Sequence, residues 1–338
     1  MKAVVLEKPG LLEMRNVNEL DGRKPDEAVV RVRRVGICGT DLHAFRGNQP
    51  FFSYPRILGH ELGVEVLEVE NNNNELGPGD RCAVEPYLSC GHCIACRRGK
   101  PNCCVELKVL GVHLDGGMQE VLAVPVKKLH KSEGLSFDQL ALTEMLGIGM
   151  HAVDRAELRA DDVLLVVGAG PIGLAVIEFV RLAGQELTVM DLNEKRLAYC
   201  RDILKIERCI HAGHEPLREL RELHHGGLPT AVFDCTGSQE SMTNAFRYVA
   251  HGGKLIYVGL FTGLVTFDDP FFHSHEMTLC SSRNSTGTEF ERILRLIENG
   301  VIDVGRWITH RVPYTGVSEQ LPQWLDCQDE FRKAIVEW

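Results

Sequence analysis

The chain has 338 residues, 44% hydrophobic and 25% charged, which excludes a disordered or fibrous protein and gives core enough for one large domain or two ordinary ones. Its net charge of −10, from 47 acidic and 37 basic residues with no Lys/Arg cluster, argues against nucleic acid and anionic membrane as partners. Twelve cysteines are too sparse for a disulfide scaffold, yet five of them crowd between Cys90 and Cys104.

From Met1 the chain meets Glu7 and then Pro9-Gly10, after an apolar stretch too short for a signal peptide. The expected compartment is the cytoplasm, with reduced cysteines. Over the first ~150 residues short apolar runs are punctuated by Gly and Pro, as in the β-strands of an irregular domain. Val29–Val35 alternates in part and Val64–Val69 well. Around these runs lie Gly36-Ile37-Cys38-Gly39-Thr40-Asp41-Leu42-His43 and Gly59-His60-Glu61. One Cys, one His and one acid suffice to hold a catalytic zinc with an open position. Taken singly, each segment reads as well as a core cysteine or a satisfied histidine. Asn71 to Asn74 and Gly77-Pro78-Gly79-Asp80 form a surface turn.

Cys90, Cys93, Cys96 and Cys104 follow C-x2-C-x2-C-x7-C. Four thiolates at this spacing suit a tetrahedral zinc, and a closed site leaves no place for substrate, so this zinc would be structural. An iron–sulfur cluster is the chemical alternative, and Cys103 competes with Cys104 for the fourth place. Cys82, Cys200, Cys209, Cys235, Cys280 and Cys327 have no such spacing and read as small buried hydrophobes.

From Leu158 onward the text changes. Val163–Val167, Leu187–Met190, Ala231–Phe233 and Lys254–Val258 alternate with helix-length segments, which predicts βαβ units and a parallel sheet. Val163 to Val180 carries only one charge, Glu178, but Gly168, Gly170, Pro171 and Gly173 interrupt it, so a strand and a buried helix replace a membrane span. Gly168-Ala169-Gly170-Pro171-Ile172-Gly173 is G-x-G-x-x-G between a strand and a helix, the context a dinucleotide pyrophosphate needs. Asp191 ends the next apolar run, where an acid binds adenosine ribose hydroxyls and repels a 2′-phosphate. NAD is therefore favoured over NADP, with Arg196 close enough in sequence to soften the preference. Asn193 is an N-cap for a helix with Leu197, Cys200 and Leu204 on one face. Thr288-x-x-Glu291 is a capping box for a helix carrying Phe290, Ile293, Leu294 and Ile297, stopped by Gly300. Thr309–Pro313 and Ala334–Val336 return to strand text around a helix-like stretch.

In chain order, Gly36-x-Cys38-x-x-Asp41, Gly59-His60-Glu61, the four spaced cysteines and Gly168-x-Gly170-x-x-Gly173 resemble the zinc-dependent medium-chain dehydrogenase/reductase family, essentially end to end. The resemblance implies an α/β chain. A mainly β, GroES-like catalytic domain would cover residues 1–150 and be completed by 301–338; a doubly wound Rossmann domain for NAD would cover 151–300. It implies one catalytic and one structural zinc, with Cys38 and His60 as catalytic ligands. Thr143 to Ala152 is similar to the Glu-Pro-Leu-x-x-x-x-His-Ala motif of the polyol and sugar branch, so Glu61 or Glu144 completes the zinc shell, directly or through water. Thr40 and His43 match the family's proton relay, and Asp41 an acid that orients His60. Ile172, Asp191 and Arg196 match cofactor positions. Gly47 to Arg56 and Leu110 to His113 are similar to bacterial sugar-acid oxidoreductases of the L-galactonate type. The family's Gly-His-Glu-x-x-Gly departs here, with Val64 at the last position and Gly63 one place early, and Met145 replaces the proline after the motif glutamate.

The activity implied is reversible hydride transfer between NAD and a secondary hydroxyl of a small polyhydroxylated substrate, a sugar acid or polyol, by a homo-oligomer (dimer or tetramer). Oxidation of an amino alcohol such as threonine, or of a simple alcohol, is the nearest rival. A non-catalytic NAD-binding metal protein is the rival from another class, and the presence of a proton relay argues against it.

Overall fold

The computed structural model describes residues 1–18, 20, 22–70, 76–326 and 331–338; the Asn71–Asn74 segment and Cys327 lie outside these. It divides into two units, Met1–Gly147 with Ser285–Trp338, and Ile148–Asn284. Among the described residues no helix is long and apolar enough to cross a membrane.

The first unit is built on the strand Glu27–Ile37, eleven residues long. Its alternation buries Ala28, Val30 and Val32 on one face. A register shift between Val32 and Arg34 breaks the alternation, and Val35, Gly36 and Ile37 follow as a continuous buried run. Antiparallel neighbours flank that end on both sides: Gly36 pairs with Glu61 of Glu61–Glu68, and Ile37 with Ala334 of Lys333–Glu337. Val121–Pro125 pairs with the other end. Arg81–Val84 and Leu129–Lys131 extend the sheet beyond Glu61–Glu68, and Ile308–Pro313 extends it, in parallel, beyond Lys333–Glu337. The core under this sheet joins Val30, Val32, Leu62, Val64, Met118 and Val336. The expected turn at Gly77–Asp80 is present, with Asp80 N–H donating to the Gly77 carbonyl at 3.1 Å.

The second unit carries six parallel strands in the order Arg208–His211, Glu186–Asp191, Val163–Val167, Ala231–Asp234, Lys254–Tyr257, Thr278–Ser281. In sequence order this is 3-2-1-4-5-6, the doubly wound arrangement. Val163–Val167 lies at its centre, and the helix Pro171–Ala183 that follows buries an unbroken run from Gly173 to Val180. The Val163–Val180 text is thus a strand and a core helix. Arg208–His211 and Thr278–Ser281, the outer strands, were not among the sequence-predicted ones; both are short and partly exposed, without an apolar run.

Two boundaries differ from the sequence reading. The chain passes between units at Gly147 and Asn284, where residues 150 and 300 were expected. The first crossing falls inside a continuous helix, Phe137–Ala156, which leaves no break in the text. At the second, helix Gly287–Glu298 belongs with the first unit, where Phe290 stacks on His130 with ring centroids 5.0 Å apart and Ser132 donates to Glu298. The capping box also shifts: Thr286 and Glu289 form it, not Thr288 and Glu291. The helix starts one turn-fraction earlier because Glu289 is buried there, its carboxylate accepting the Thr286 N–H at 2.6 Å. Gly300 follows at φ 68° as the expected stop.

This cap is testable. Thr286→Ala should cost about 1 kcal/mol, read as a lower urea midpoint at unchanged m value. Thr288→Ala, at an exposed position, should stay within about 0.5 kcal/mol of wild type.

Candidate active site and metal centres

Cys38 directly follows the central strand and is the N-cap of helix Gly39–Arg46. Glu61 opens the neighbouring strand, His60 immediately precedes it, and both are buried. The Cys38 sulfur, a His60 ring nitrogen and a Glu61 oxygen lie within 4.8 Å of one another. Asp41, fully buried, ties the two segments together. Its carboxylate accepts the Cys38 N–H at 2.9 Å and the Gly59 N–H at 3.4 Å. Its distance to His60 Nδ1, 3.9 Å, is beyond hydrogen-bond reach, so it holds the backbone beside the imidazole instead of the ring.

Glu61 reaches a cation that the sequence did not announce. Lys333 Nζ donates to Glu61 Oε1 at 2.7 Å and Oε2 at 2.8 Å, and to the Ile37 carbonyl at 3.1 Å. Gly36 opens the path over the central strand. A Cβ there would stand 2.1 Å from Glu61 Oε2. Glu144, from helix Phe137–Ala156, is buried and accepts from the Tyr87 hydroxyl. The 4.8 Å group does not extend to it.

The electrostatics suit a divalent cation. Burial alone lowers the His60 pKa, but Asp41, Cys38 and Glu144 more than offset it and hold the imidazole well above its usual range. Burial raises the Glu144 carboxyl, and the negative charge of Glu61 adds to this. Burial likewise raises Asp41. Packed anionic donors thus recruit protons where a divalent metal would supply the charge. His60 Nδ1 is buried without a hydrogen-bond partner. A thiolate, an imidazole and a carboxylate are the donor types of a catalytic zinc.

Thr40 and His43 lie one turn apart on helix Gly39–Arg46. Thr40 is half-buried and His43 exposed, with Nδ1 3.1 Å from Asn48 Oδ1. The Gly47–Arg56 loop is pinned beside this helix by Tyr54, which donates to the Ala44 carbonyl at 2.5 Å.

At the cysteine cluster, the sulfurs of Cys90, Cys93, Cys96 and Cys104 lie within 4.8 Å of one another. Cys93 stands 3.5 Å from Cys96 and 3.9 Å from Cys104. A tetrahedron with Zn–S bonds of about 2.3 Å has edges of about 3.8 Å, so the cage is zinc-sized. Backbone N–H groups of Cys96 and Val105 lower the Cys93 thiol to about 6. Desolvation, then the Cys93 sulfur, raise Cys96 to about 11. One thiolate forms readily and the next resists, until a cation is shared. Cys103 is exposed and takes no place in the group. Of the unassigned cysteines, Cys82 and Cys200 are buried, whereas Cys209, Cys235 and Cys280 are only half-buried.

In the second unit Gly168 takes φ 91° directly after the central strand. Gly170 caps the helix and Pro171 starts it, a proline placement that costs no hydrogen bond. A Cβ at Gly173 would stand 1.7 Å from the Gly168 carbonyl oxygen, so only glycine lets the helix pack there. Ile172 is half-buried. Asp191 Oδ2 accepts the Ala169 N–H at 2.6 Å and Oδ1 the Asn193 N–H at 2.7 Å. Arg196 stands 3.8 Å from Asp191. Asn193 caps its helix as expected, accepting from Lys195 and Arg196 N–H.

Residues 24–134 match the alcohol dehydrogenase GroES-like domain and residues 171–299 the zinc-binding dehydrogenase domain. The chain is 39% identical over 311 residues to L-galactonate-5-dehydrogenase of Escherichia coli K12, covering 92% of each. The chain belongs to the zinc-binding alcohol dehydrogenase family. Among solved structures, the alcohol dehydrogenase RspB of E. coli CFT073, complexed with NADH, superposes with TM-score 0.92 at 28% identity, covering 100% of this chain and 99% of that one. A zinc-binding dehydrogenase of Sinorhizobium meliloti 1021 bound to NADP gives TM-score 0.88 at 26% identity, covering 100% and 99%. The protein is an enzyme, a zinc-dependent alcohol/polyol dehydrogenase with GroES-like and Rossmann-like parts.

Within the dehydrogenase, sequence reasoning passed over Tyr87 and Lys333, and placed Gly36 in its motif without its closeness to Glu61. Lys333 left one signal: a charge beside Arg332 that opens an apolar run, Lys333-Ala334-Ile335-Val336. Tyr87 left none, because its partner Glu144 is 57 residues away.

Gly36→Ala should push Glu61 off its place. Overpacking of this kind costs about 1–3 kcal/mol, read as a lower urea midpoint. Metal analysis after brief chelation should show the variant losing zinc sooner than wild type.

Proposed function

We propose that the enzyme transfers a hydride between NAD and a secondary hydroxyl of a sugar acid or polyol, with an L-galactonate-type substrate preferred. The observation that carries this reading is the 39% identity to L-galactonate-5-dehydrogenase, spread over 92% of both chains. The donor set supports it. A carboxylate beside Cys38 and His60, with Glu144 close enough to influence His60, makes a polar site suited to a hydroxyl-rich substrate.

In this reading Cys38, His60 and Glu61 hold the catalytic zinc, with Glu144 near it, and Cys90, Cys93, Cys96 and Cys104 hold a structural one. Bound zinc would supply Lewis acidity that lowers the pKa of a substrate hydroxyl, and bound NAD would accept the hydride. The chain's own residues manage the proton and the geometry. Oxidation of a secondary alcohol to a ketone releases one hydride and one proton. The Thr40 hydroxyl takes the proton inside and the exposed His43 imidazole passes it to water. Tyr87 keeps the Glu144 carboxylate turned inward, where it accepts a hydrogen bond from substrate or water. Asp41 keeps the Cys38 and Gly59 backbones together, so the donors do not have to be gathered when metal arrives.

Gly168, Gly170, Pro171, Ile172 and Gly173 receive the pyrophosphate at the helix N-terminus. Asp191 receives the adenosine ribose and selects NAD, while Arg196 limits its repulsion of a 2′-phosphate. The eleven described cysteines are free thiols, and a four-thiolate centre needs a reducing compartment; the cytoplasm fits that need.

A stereochemically defined panel of L-galactonate, L-gulonate, L-idonate and sorbitol, followed by NADH absorbance, tests the substrate. Turnover should be greatest with an aldonate, and turnover of threonine or a simple alcohol alone would sink the reading. Cys38→Ala should lower kcat at least about a thousandfold while retaining the cysteine-bound zinc by metal analysis. Asp191→Ser should shift the NAD to NADP preference, as the ratio of kcat/KM values, by about tenfold or more toward NADP.

A further inference from the structure

Lys333 is 2% exposed at the start of the last strand, and its strand neighbours Ala334, Ile335 and Val336 are buried and apolar. All three ammonium donors are spent: one on the Ile37 carbonyl and one on each oxygen of Glu61. Packing alone does not call for a lysine at such a place. A buried ion pair costs desolvation that an apolar pair of similar volume avoids, and is often no more stable. The pair therefore points to what Glu61 does. Glu61 is one of three donors within 4.8 Å, the other two being Cys38 and His60.

A carboxylate held by an ammonium at 2.7 and 2.8 Å is fixed in direction and partly neutralised. It remains able to bind a metal, since each oxygen has a second lone pair. It gives that metal less charge than a free carboxylate would.

We propose that Lys333 is a positioning residue for the catalytic metal: it aims Glu61 and shares its charge, so that the centre binds zinc less tightly than its donors alone would and leaves the ion more electrophilic. This rests on the reading of Cys38, His60 and Glu61 as the metal centre. Two effects of removing Lys333 compete. Loss of aim weakens metal binding, whereas loss of a positive charge beside a divalent ion strengthens it. The second wins, because two charges on the ion and one on the ammonium repel across a short, buried distance, where Coulomb terms are large.

The test uses zinc-loaded enzyme, Lys333→Met and Lys333→Arg. Zinc release to an excess chelator is followed over time, and the visible bands of the cobalt-substituted protein report the ligand field. Lys333→Met should release the labile zinc about tenfold or more slowly, with altered cobalt bands and a lower kcat at unchanged cofactor KM. Lys333→Arg should restore wild-type release. Equal or faster zinc release from folded Lys333→Met overturns the proposal. If Lys333→Met does not accumulate, Lys333→Gln decides, because it keeps a hydrogen-bond donor beside Glu61 and removes only the charge. Slower zinc release than wild type supports charge sharing, and equal or faster release overturns it. Failure of the underlying reading looks different: wild type and Cys38→Ala would then carry the same zinc content.

Discussion

Both oxygens of Glu61 rest on the ammonium of Lys333, inside a sheet where neither side chain meets water. That interaction needs three adjacent strands in correct register. Glu61 comes from one side of the central strand and Lys333 from the other. Between them the central strand presents Gly36, the one residue type with no Cβ to block the contact. Cys38 follows two residues later, so the register that makes the ion pair also brings the thiol beside His60 and Glu61. A shift of one residue would turn the side chains to the opposite face. It would bury Glu61 without a cation and move Cys38 away from its partners. The sheet register and the candidate metal centre are one constraint.

The two candidate metal sites differ in how far apart their parts lie in sequence, and that difference decides what could be read in advance. The cysteine cluster closes within 14 residues, between Cys90 and Cys104. Spacing alone gives its ligand number, and a local loop can form it. The other site draws on residues 38, 60 and 61, then on Glu144, and finally on Lys333, 272 residues beyond Glu61. Cys38 and His60 were legible as a pair by family resemblance. Lys333 and Tyr87 were not, because only tertiary pairing makes them neighbours. Of the two acids that sequence left as alternatives, Glu61 lies within the 4.8 Å group, and Glu144 lies outside it and accepts from Tyr87.

Much the same holds for the fold. Ala231–Asp234 and all of Val163–Val167 but its first residue are buried, so their apolar runs are visible in the text. The outer strands face water for much of their length and give no such run. Thr286-x-x-Glu289 and Thr288-x-x-Glu291 are both acceptable capping boxes by composition. Only packing chooses, by burying Glu289 and leaving Thr288 exposed. The unit boundary inside Phe137–Ala156 is hidden for a related reason. A helix can leave one core and enter another without changing its local hydrogen bonds, so neither turn residue nor charge shift marks the place.

The acids proposed for function share a further property. Asp41 already accepts from Cys38 and Gly59 N–H groups, Glu61 from Lys333, Glu144 from Tyr87, and Asp191 from Ala169 and Asn193 N–H groups. Each has its rotamer fixed by the protein before any ligand arrives, which removes an ordering cost from binding. Each also retains lone pairs, since a carboxylate offers about four acceptor positions. All four are buried, so they contribute little to the field that a distant partner would feel. The net charge of −10 is chiefly a property of the outer surface, and it sets no limit on whether the site takes an anionic substrate. Within the chain, Lys333 balances part of that buried negative charge.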